Sequence, residues 1–261
     1  MKPIEIEKIP YEFTQLIGGI KNISFPKQGC TSSVGIVTSE KGKFVLKKSV
    51  QELYRKCLFQ ESKILHILNN TSLPVPKRYK FTEDRNSSWL LMSFIEGETI
   101  RSLFQRGISK QHKEEILYNY GQVLRDLHST TCPKELTAGE QPWLEKKLIE
   151  AEYNLKKYEV DGTKELLNNL MKKRPIKVDH TLIHGDFTID NVLVQGTEIV
   201  GIIDWSGGAF GDPRYDLTLA TRPKPYIFNN EIDREIFYKG YGIDAVCDED
   251  IKYFNDLYEF F

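Results

Sequence analysis

The segment "HGDFTIDNVLVQGTEIVGIIDW" runs from His184 to Trp205, and most of it reads as core strand. "NVLV" and "IVGIID" are short β-rich runs joined by the turn-forming "QGTE". Three polar side chains break the apolar pattern: Asp186, Asn191 five residues on, and Asp204 thirteen residues further. Buried apolar segments carry such groups at a cost unless something uses them. A hairpin folding back on itself would return Asp204 to the neighbourhood of Asn191. One carboxylate and one carboxamide form a hard-oxygen set suited to Mg2+, which takes few protein ligands and leaves its other positions to phosphates and water. Asp186 is then left to orient an attacking hydroxyl and accept its proton, the division of labour found in phosphoryl transfer. Simple capping of turns by these residues is the plain alternative.

Upstream, "VGIVTS" (34–39) and "KFVLKK" (43–48) read as a hairpin, and "KRYKFTE" with "WLLMSFI" as a second pair across "DRNSS". Between the two pairs lies a helical stripe of apolar residues at 50, 53, 54, 57, 58, 64, 65 and 68. Position 61 belongs to that stripe by spacing, yet it holds Glu61. A carboxylate on a buried face needs a partner. In "KFVLKKS", alternation puts Phe44 and Leu46 on one strand face and Val45 and Lys47 on the other. Lys47 is the obvious partner, and Lys48 is its competitor.

Downstream, "SKQHKEEILYNYGQVLRDLHS" predicts an amphipathic helix with Ser109 as N-cap and Ile116, Leu117, Tyr120, Val123, Leu124 and Leu127 on one face. Residues 143–173 predict partly exposed helix, and "LIH" a short strand. The chain is therefore strand-rich with one helix over about its first 95 residues and mainly helical with a small β insert after that. That is a two-lobed α+β layout.

Composition sets the outer bounds. With 261 residues, 40% hydrophobic and 28% charged, the chain can bury a sizeable core and is not of the disordered class. A net charge of −1 gives no general case for nucleic acid or a membrane surface as partner. Cys30, Cys57, Cys132 and Cys247 lack paired spacing, which predicts buried free thiols rather than a disulfide framework or zinc site. "MKPIEIEKIP" lacks the apolar core of a signal peptide, and no run reaches the ~18 apolar residues of a membrane span, so a cytoplasmic location is expected. Charge is nonetheless uneven: residues 1–60 carry ten Lys/Arg against five Asp/Glu, and residues 209–261 six against eleven.

"HGDFTIDNVL…GIIDW" resembles the aminoglycoside phosphotransferase family, small-molecule kinases that share the bilobal fold of protein kinases. The resemblance implies a protein-kinase-like α+β fold, with a β-rich nucleotide-binding lobe over 1–92, a hinge over 93–98 and a mainly helical catalytic and acceptor-binding lobe over 99–261. It implies ATP or GTP as phosphoryl donor, Mg2+ as cofactor, Asp186 as catalytic base, Asn191 and Asp204 as metal ligands, and a Lys47–Glu61 pair on the phosphates. Protein kinases carry an arginine where this chain has Gly185, and no A-P-E or D-F-G tripeptide occurs, which argues against a protein acceptor.

By the same resemblance, "PKQGCTSSVGIVTS" (26–39) is the nucleotide-covering loop, where Thr31, Ser32 and Ser33 donate to phosphates. "LLMSFIEGE" is the hinge, with Met92 behind the purine and the main chain of Ser93 and Ile95 on its edge. In "GDPRYDL", Asp216 is read as structural, bonding backbone near the catalytic loop, while His184 braces that loop. The remaining histidines, His66, His112, His128 and His180, read as surface or cap residues.

The ending "DEDIKYFNDLYEFF" is similar to that of the 3′-hydroxyl aminoglycoside kinases, whose last residues and terminal carboxylate meet the drug's ammonium groups. That implicates Glu259 and Phe261 in binding a cationic small-molecule acceptor, and with it antibiotic resistance. The chain departs from those enzymes in having Gly207 in place of an arginine, and Tyr226 and Ile227 in place of an acidic pair. A kinase of another small alcohol (choline, a macrolide, a sugar or an amino-alcohol) and a catalytically silent binding module stay open as alternatives.

Overall fold

Two separate apolar cores organise the chain in the computed structural model, which describes residues 3–26, 31–138 and 141–261. The first compact unit comprises Met1–Glu96 and Gly201–Gly207. Its elements are α1 (Tyr11–Ile17), β1 (Ile20–Ser24), β2 (Ser33–Ser39), β3 (Gly42–Ser49), α2 (Glu52–Leu68), β4 (Arg78–Glu83) and β5 (Ser88–Ser93). The strands form one antiparallel sheet in the order β1-β2-β3-β5-β4. Pleating sends Phe44 and Leu46 of β3 into a core with Val37, Trp89 and Leu91, which α1 closes with Phe13 and Ile17. Lys47 points from the opposite face towards α2. The short α1 and β1 are not legible in the sequence, since neither is long enough to establish a period.

The sequence places residues 201–207 in the C-terminal lobe, but they pack with the first unit instead. The Ile202 amide donates to the Pro74 carbonyl at 2.7 Å. Trp205 is fully buried in a 3-10 turn that packs on α2, its indole N–H donating to the Ile202 carbonyl at 2.8 Å. A large aromatic side chain with a satisfied N–H anchors a short segment more strongly than its position along the chain would suggest.

The second unit spans Gly97–Val200 and Gly208–Phe261. It contains β6 (Glu98–Thr99), α3 (Ile100–Gln105), α4 (Lys110–Ser129), α5 (Lys134–Thr137), α6 (Trp143–Lys157), α7 (Lys164–Lys172), β7 (Thr181–Ile183) and β8 (Val192–Gln195). After β9 (Glu198–Ile202), which carries the chain out of the unit, come β10 (Ala209–Gly211), α8 (Pro213–Ala220), α9 (Glu231–Tyr241) and α10 (Asp248–Tyr258). Ser109 caps α4 by accepting from the His112 amide. β8 and β9 form the expected hairpin around Gly196, which takes a left-handed φ of 66°. α4 and α9 cross on glycines: a Cβ on Gly240 would lie 2.0 Å from the Tyr118 carbonyl oxygen, and one on Gly121 would lie 2.1 Å from that of Phe237. α6, α7, α8 and α10 enclose a core of Trp143, Leu148, Leu170, Tyr215, Phe254 and Phe260.

Cys57 and Cys132 are half-buried and Cys247 is exposed, none of them in a disulfide, so the expectation of buried thiols fails for Cys247; Cys30 lies outside the described residues. Among the described residues no helix is long and apolar enough to cross a membrane.

Candidate active site

In the first unit, Lys47 donates from Nζ to Glu61 Oε1 at 2.6 Å and Oε2 at 2.8 Å, and to Asp204 Oδ1 at 3.3 Å. The Glu61 side chain is 3% exposed and that of Lys47 12%, whereas Asp204 is 44% exposed. Burial alone would pull the Lys47 ammonium down, but Asp204 and Glu61 outweigh it and hold the group above its ordinary range. Burial pushes the Glu61 carboxyl up to about 7, opposed by Lys47 and by a hydrogen bond from the Trp205 backbone. The competitor Lys48 is turned away, its ammonium 4.5 Å above the Trp89 ring. Asp204 has a left-handed φ of 68° that re-aims its carboxylate at the end of β9.

The other expected nucleotide contacts are less uniform. The Ser32 hydroxyl is buried and bonded to the Ser49 hydroxyl at 2.7 Å, so it is not presented to a phosphate. It closes the mouth of the β2–β3 pair, with Ser49 donating to the Thr31 carbonyl. Thr31 is exposed and Ser33 opens β2, while residues 27–30 of the loop lie outside the described residues. Met92 is buried within β5. The Ser93 amide donates to the Lys77 carbonyl, so of its main chain only the carbonyl is a candidate for a base edge. Ile95 is half-buried just beyond β5.

In the second unit, Asp186 sits in the loop between β7 and β8. Asp216, fully buried in α8, accepts from the His184 amide at 2.6 Å and the Gly185 amide at 2.8 Å, which pins the start of the loop. His184 in turn accepts at Nδ1 from the Asp186 amide at 3.2 Å. Asn191 spans the loop, its Nδ2 donating to the Asp186 carbonyl at 2.9 Å and to Asp186 Oδ2 at 2.8 Å. That use of the amide nitrogen leaves the carboxamide oxygen, which accepts no hydrogen bond from the described residues. The Tyr258 hydroxyl donates to the other carboxylate oxygen, Oδ1, at 3.0 Å.

Several residues that hold this loop were not singled out by the sequence. Asp190 accepts from Arg101, one of whose two bonds is 2.7 Å, and from Lys224 at 2.9 Å. Burial pushes its carboxyl up, but these cations more than offset that and hold it below the usual carboxylate range. His128 is not a surface residue: it lies buried between Tyr241 and Asp216. Its signal was present, because 128 continues the apolar stripe of 124 and 127 along α4. Tyr258 gave no signal, since an aromatic residue on an amphipathic helix reads as core.

The tail residues expected to meet a cation are engaged. Glu259 is ion-paired with Arg222, and the Phe261 ring lies 4.1 Å from the Lys147 ammonium. Other acidic side chains of 209–261 are likewise engaged: Asp212 and Asp250 hold Arg214, and Asp233 holds Lys113. A cavity of about 190 Å3 opens beside Tyr258, lined also by Glu159, Asp161, Arg222, Glu259 and Phe261.

A model of the phosphotransferase enzyme family matches residues 22–244. The aminoglycoside 3'-phosphotransferase of Niallia circulans is 29% identical over 208 residues, covering 72% of this chain and 73% of that protein. Human acyl-CoA dehydrogenase family member 11 is 25% identical over 179 residues, 60% of this chain but 22% of that much longer protein. Among solved structures, an aminoglycoside-3'-phosphotransferase of type VIII superposes with a TM-score of 0.79 at 20% identity, over 96% of this chain and 97% of that one. A spectinomycin phosphotransferase in complex with ADP and spectinomycin gives 0.64 at 20% identity, over 98% and 85%. These likenesses establish a protein-kinase-like α+β fold.

Proposed function

This chain belongs to the phosphotransferase enzyme family and is a small-molecule kinase; we propose that it moves the γ-phosphate of ATP or GTP to a hydroxyl of a cationic acceptor of the aminoglycoside class. The observation that carries this reading is Asp186, whose carboxylate is held through one oxygen by Asn191 on a loop pinned by Asp216. A general base must be ionised, fixed and able to accept from the acceptor hydroxyl. In this reading Asp186 orients that hydroxyl and takes its proton as the new O–P bond forms and the bond from the γ-phosphorus to the β–γ bridging oxygen breaks, the nucleoside diphosphate leaving. Lys47, kept charged and kept in place by Glu61, binds the α/β-phosphates. Met92 and the Ser93 and Ile95 main chain would hold the purine.

Each unit also offers a hard oxygen donor of the kind Mg2+ takes: the Asn191 carboxamide oxygen in the second and the largely exposed Asp204 carboxylate in the first. When bound, that ion would neutralise charge developing on the phosphates. The cavity beside Tyr258 supports a cationic acceptor, because Glu159, Asp161 and Glu259 face one guanidinium, that of Arg222. Phosphorylating an aminoglycoside would give antibiotic resistance.

A second reading, a neutral or amino-alcohol acceptor, is favoured by the Arg222–Glu259 pair, which already neutralises one of those carboxylates. The test is transfer of label from γ-labelled ATP or GTP, with Mg2+ or with chelator, to kanamycin, choline and glucose. Magnesium-dependent labelling of kanamycin supports the first reading. Labelling of choline or glucose alone replaces it with the second.

A further inference from the structure

Tyr258 belongs to α10, yet its hydroxyl reaches the carboxylate at the centre of the catalytic loop. Asp186 accepts from Asn191 Nδ2 at Oδ2 and from Tyr258 at Oδ1, so a separate donor holds each oxygen. The last torsion of an aspartate is broad and nearly two-fold. A single donor leaves the carboxylate free to rock about that contact, whereas two donors on opposite oxygens fix its plane. Building on the kinase reading above, we infer that Tyr258 is a positioning residue, which fixes the plane of the Asp186 carboxylate and borders the place of the acceptor hydroxyl.

The phenol is itself held from several sides. The Arg222 guanidinium lies 5.1 Å from its ring centroid and is tied down by Glu259. The Tyr215 ring packs at 6.5 Å. The chain just beyond is anchored to two other segments: the Gly162 amide donates to the Glu259 carbonyl at 2.8 Å, and the Asn154 side chain to the Phe260 carbonyl at 2.9 Å. Phe260 fills the space beside Gly162, where a Cβ would lie 2.4 Å from its ring. A side chain anchored this way is a fixture and not a swinging gate. Burial, and then the charge of Asp186, raise the phenol well above its ordinary range, so it remains a protonated donor at every working pH. A carboxylate oxygen has two lone pairs, so Oδ1 can accept from the phenol and from an acceptor hydroxyl together. Preorganisation of a base by donors that need not move during the reaction is an established source of rate.

Tyr258→Phe removes the hydroxyl and keeps the ring on which Arg222 rests. The expected result with kanamycin as acceptor is a fall in kcat of between about 10- and 100-fold, the range for a hydrogen bond to a charged group. KM for the nucleotide and the melting temperature should stay at wild-type values. Slow hydrolysis of the nucleotide by water, read without any acceptor, should fall in parallel. In an Asp186→Asn background the same substitution should have almost no further effect, because Tyr258 acts through Asp186. Unchanged kcat in Tyr258→Phe, a gain in kcat/KM showing that the phenol blocks the base, or an equal loss in the Asp186→Asn background would each overturn the inference. A wild-type chain that transfers phosphate to none of kanamycin, choline, glucose and water overturns the kinase reading, and this inference with it.

Discussion

Replacing Lys47 by methionine keeps most of the stem's volume but removes the cation beside a carboxylate that is 3% exposed. Glu61 can then remain ionised and unpaired, at a cost of several kcal/mol, or take up a proton. Protonation is the cheaper route near neutral pH. Burial already brings this carboxyl to about 7 while Lys47 opposes the shift, and deleting Lys47 removes the opposition. A carboxyl whose folded value lies above its unfolded value contributes stability that is complete below the unfolded value, here about 4.3, and is lost as pH rises through the folded value. The stability of Lys47→Met should therefore fall by up to ~1.4 kcal/mol per pH unit as pH rises from 5, a loss of about 2–3 kcal/mol by pH 7. The double variant Lys47→Met/Glu61→Gln has no titrating group there and should lack that slope. Urea unfolding at pH 5, 6 and 7 reads the difference, with Trp89 and Trp205 as fluorescent reporters in the same unit. Parallel curves for the single and double variants would show that Glu61 is not a desolvated carboxyl depending on Lys47, and the pairing argument would fail.

Two further outcomes follow from the second unit. Gly240→Ala puts a Cβ 2.0 Å from a backbone carbonyl that cannot swing aside, so it should cost at least about 2 kcal/mol; an unchanged melting temperature would refute the α4–α9 crossing. Asp190, held below the usual carboxylate range by Arg101 and Lys224 against the effect of burial, contributes stability that is present above its unfolded value of about 3.9 and lost as pH falls through its folded value. Urea midpoints of wild type and Asp190→Asn should thus differ at pH 6 and draw together as pH falls below about 3.9, and a constant gap would remove Asp190 from the acid response.

The parts of the fold and site that were legible share one property: a polar residue stands where periodicity demands an apolar one. Glu61 on the buried stripe of α2 and Lys47 on the inner face of β3 could be paired from spacing alone, and they meet at 2.6 Å. Asp186, Asn191 and Asp204 interrupt strand-like runs and could be singled out in the same way. What escaped was set by tertiary packing. Nothing local says that residues 201–207 dock on the first unit through Trp205, or that an aromatic at position 258 points at Asp186 rather than into the core. Net charge over 209–261 was also a poor guide, because individual carboxylates that it counts, such as Glu259 and Asp250, are held by Arg222 and Arg214. The Ser32 hydroxyl, which the family resemblance gives as a phosphate donor, is instead claimed by Ser49.

Phosphoryl transfer by Asp186→Asn, beside its nucleotide affinity, tests the central claim most directly. The amide is nearly isosteric but cannot accept the acceptor's proton. Transfer of label from γ-labelled nucleotide to kanamycin should fall by a factor of about 10² or more, the range for loss of a general base, while calorimetric affinity for the magnesium nucleotide stays at the wild-type value. Turnover near that of the wild type would contradict the assignment of Asp186 as the base, and with it the mechanism built on the catalytic loop.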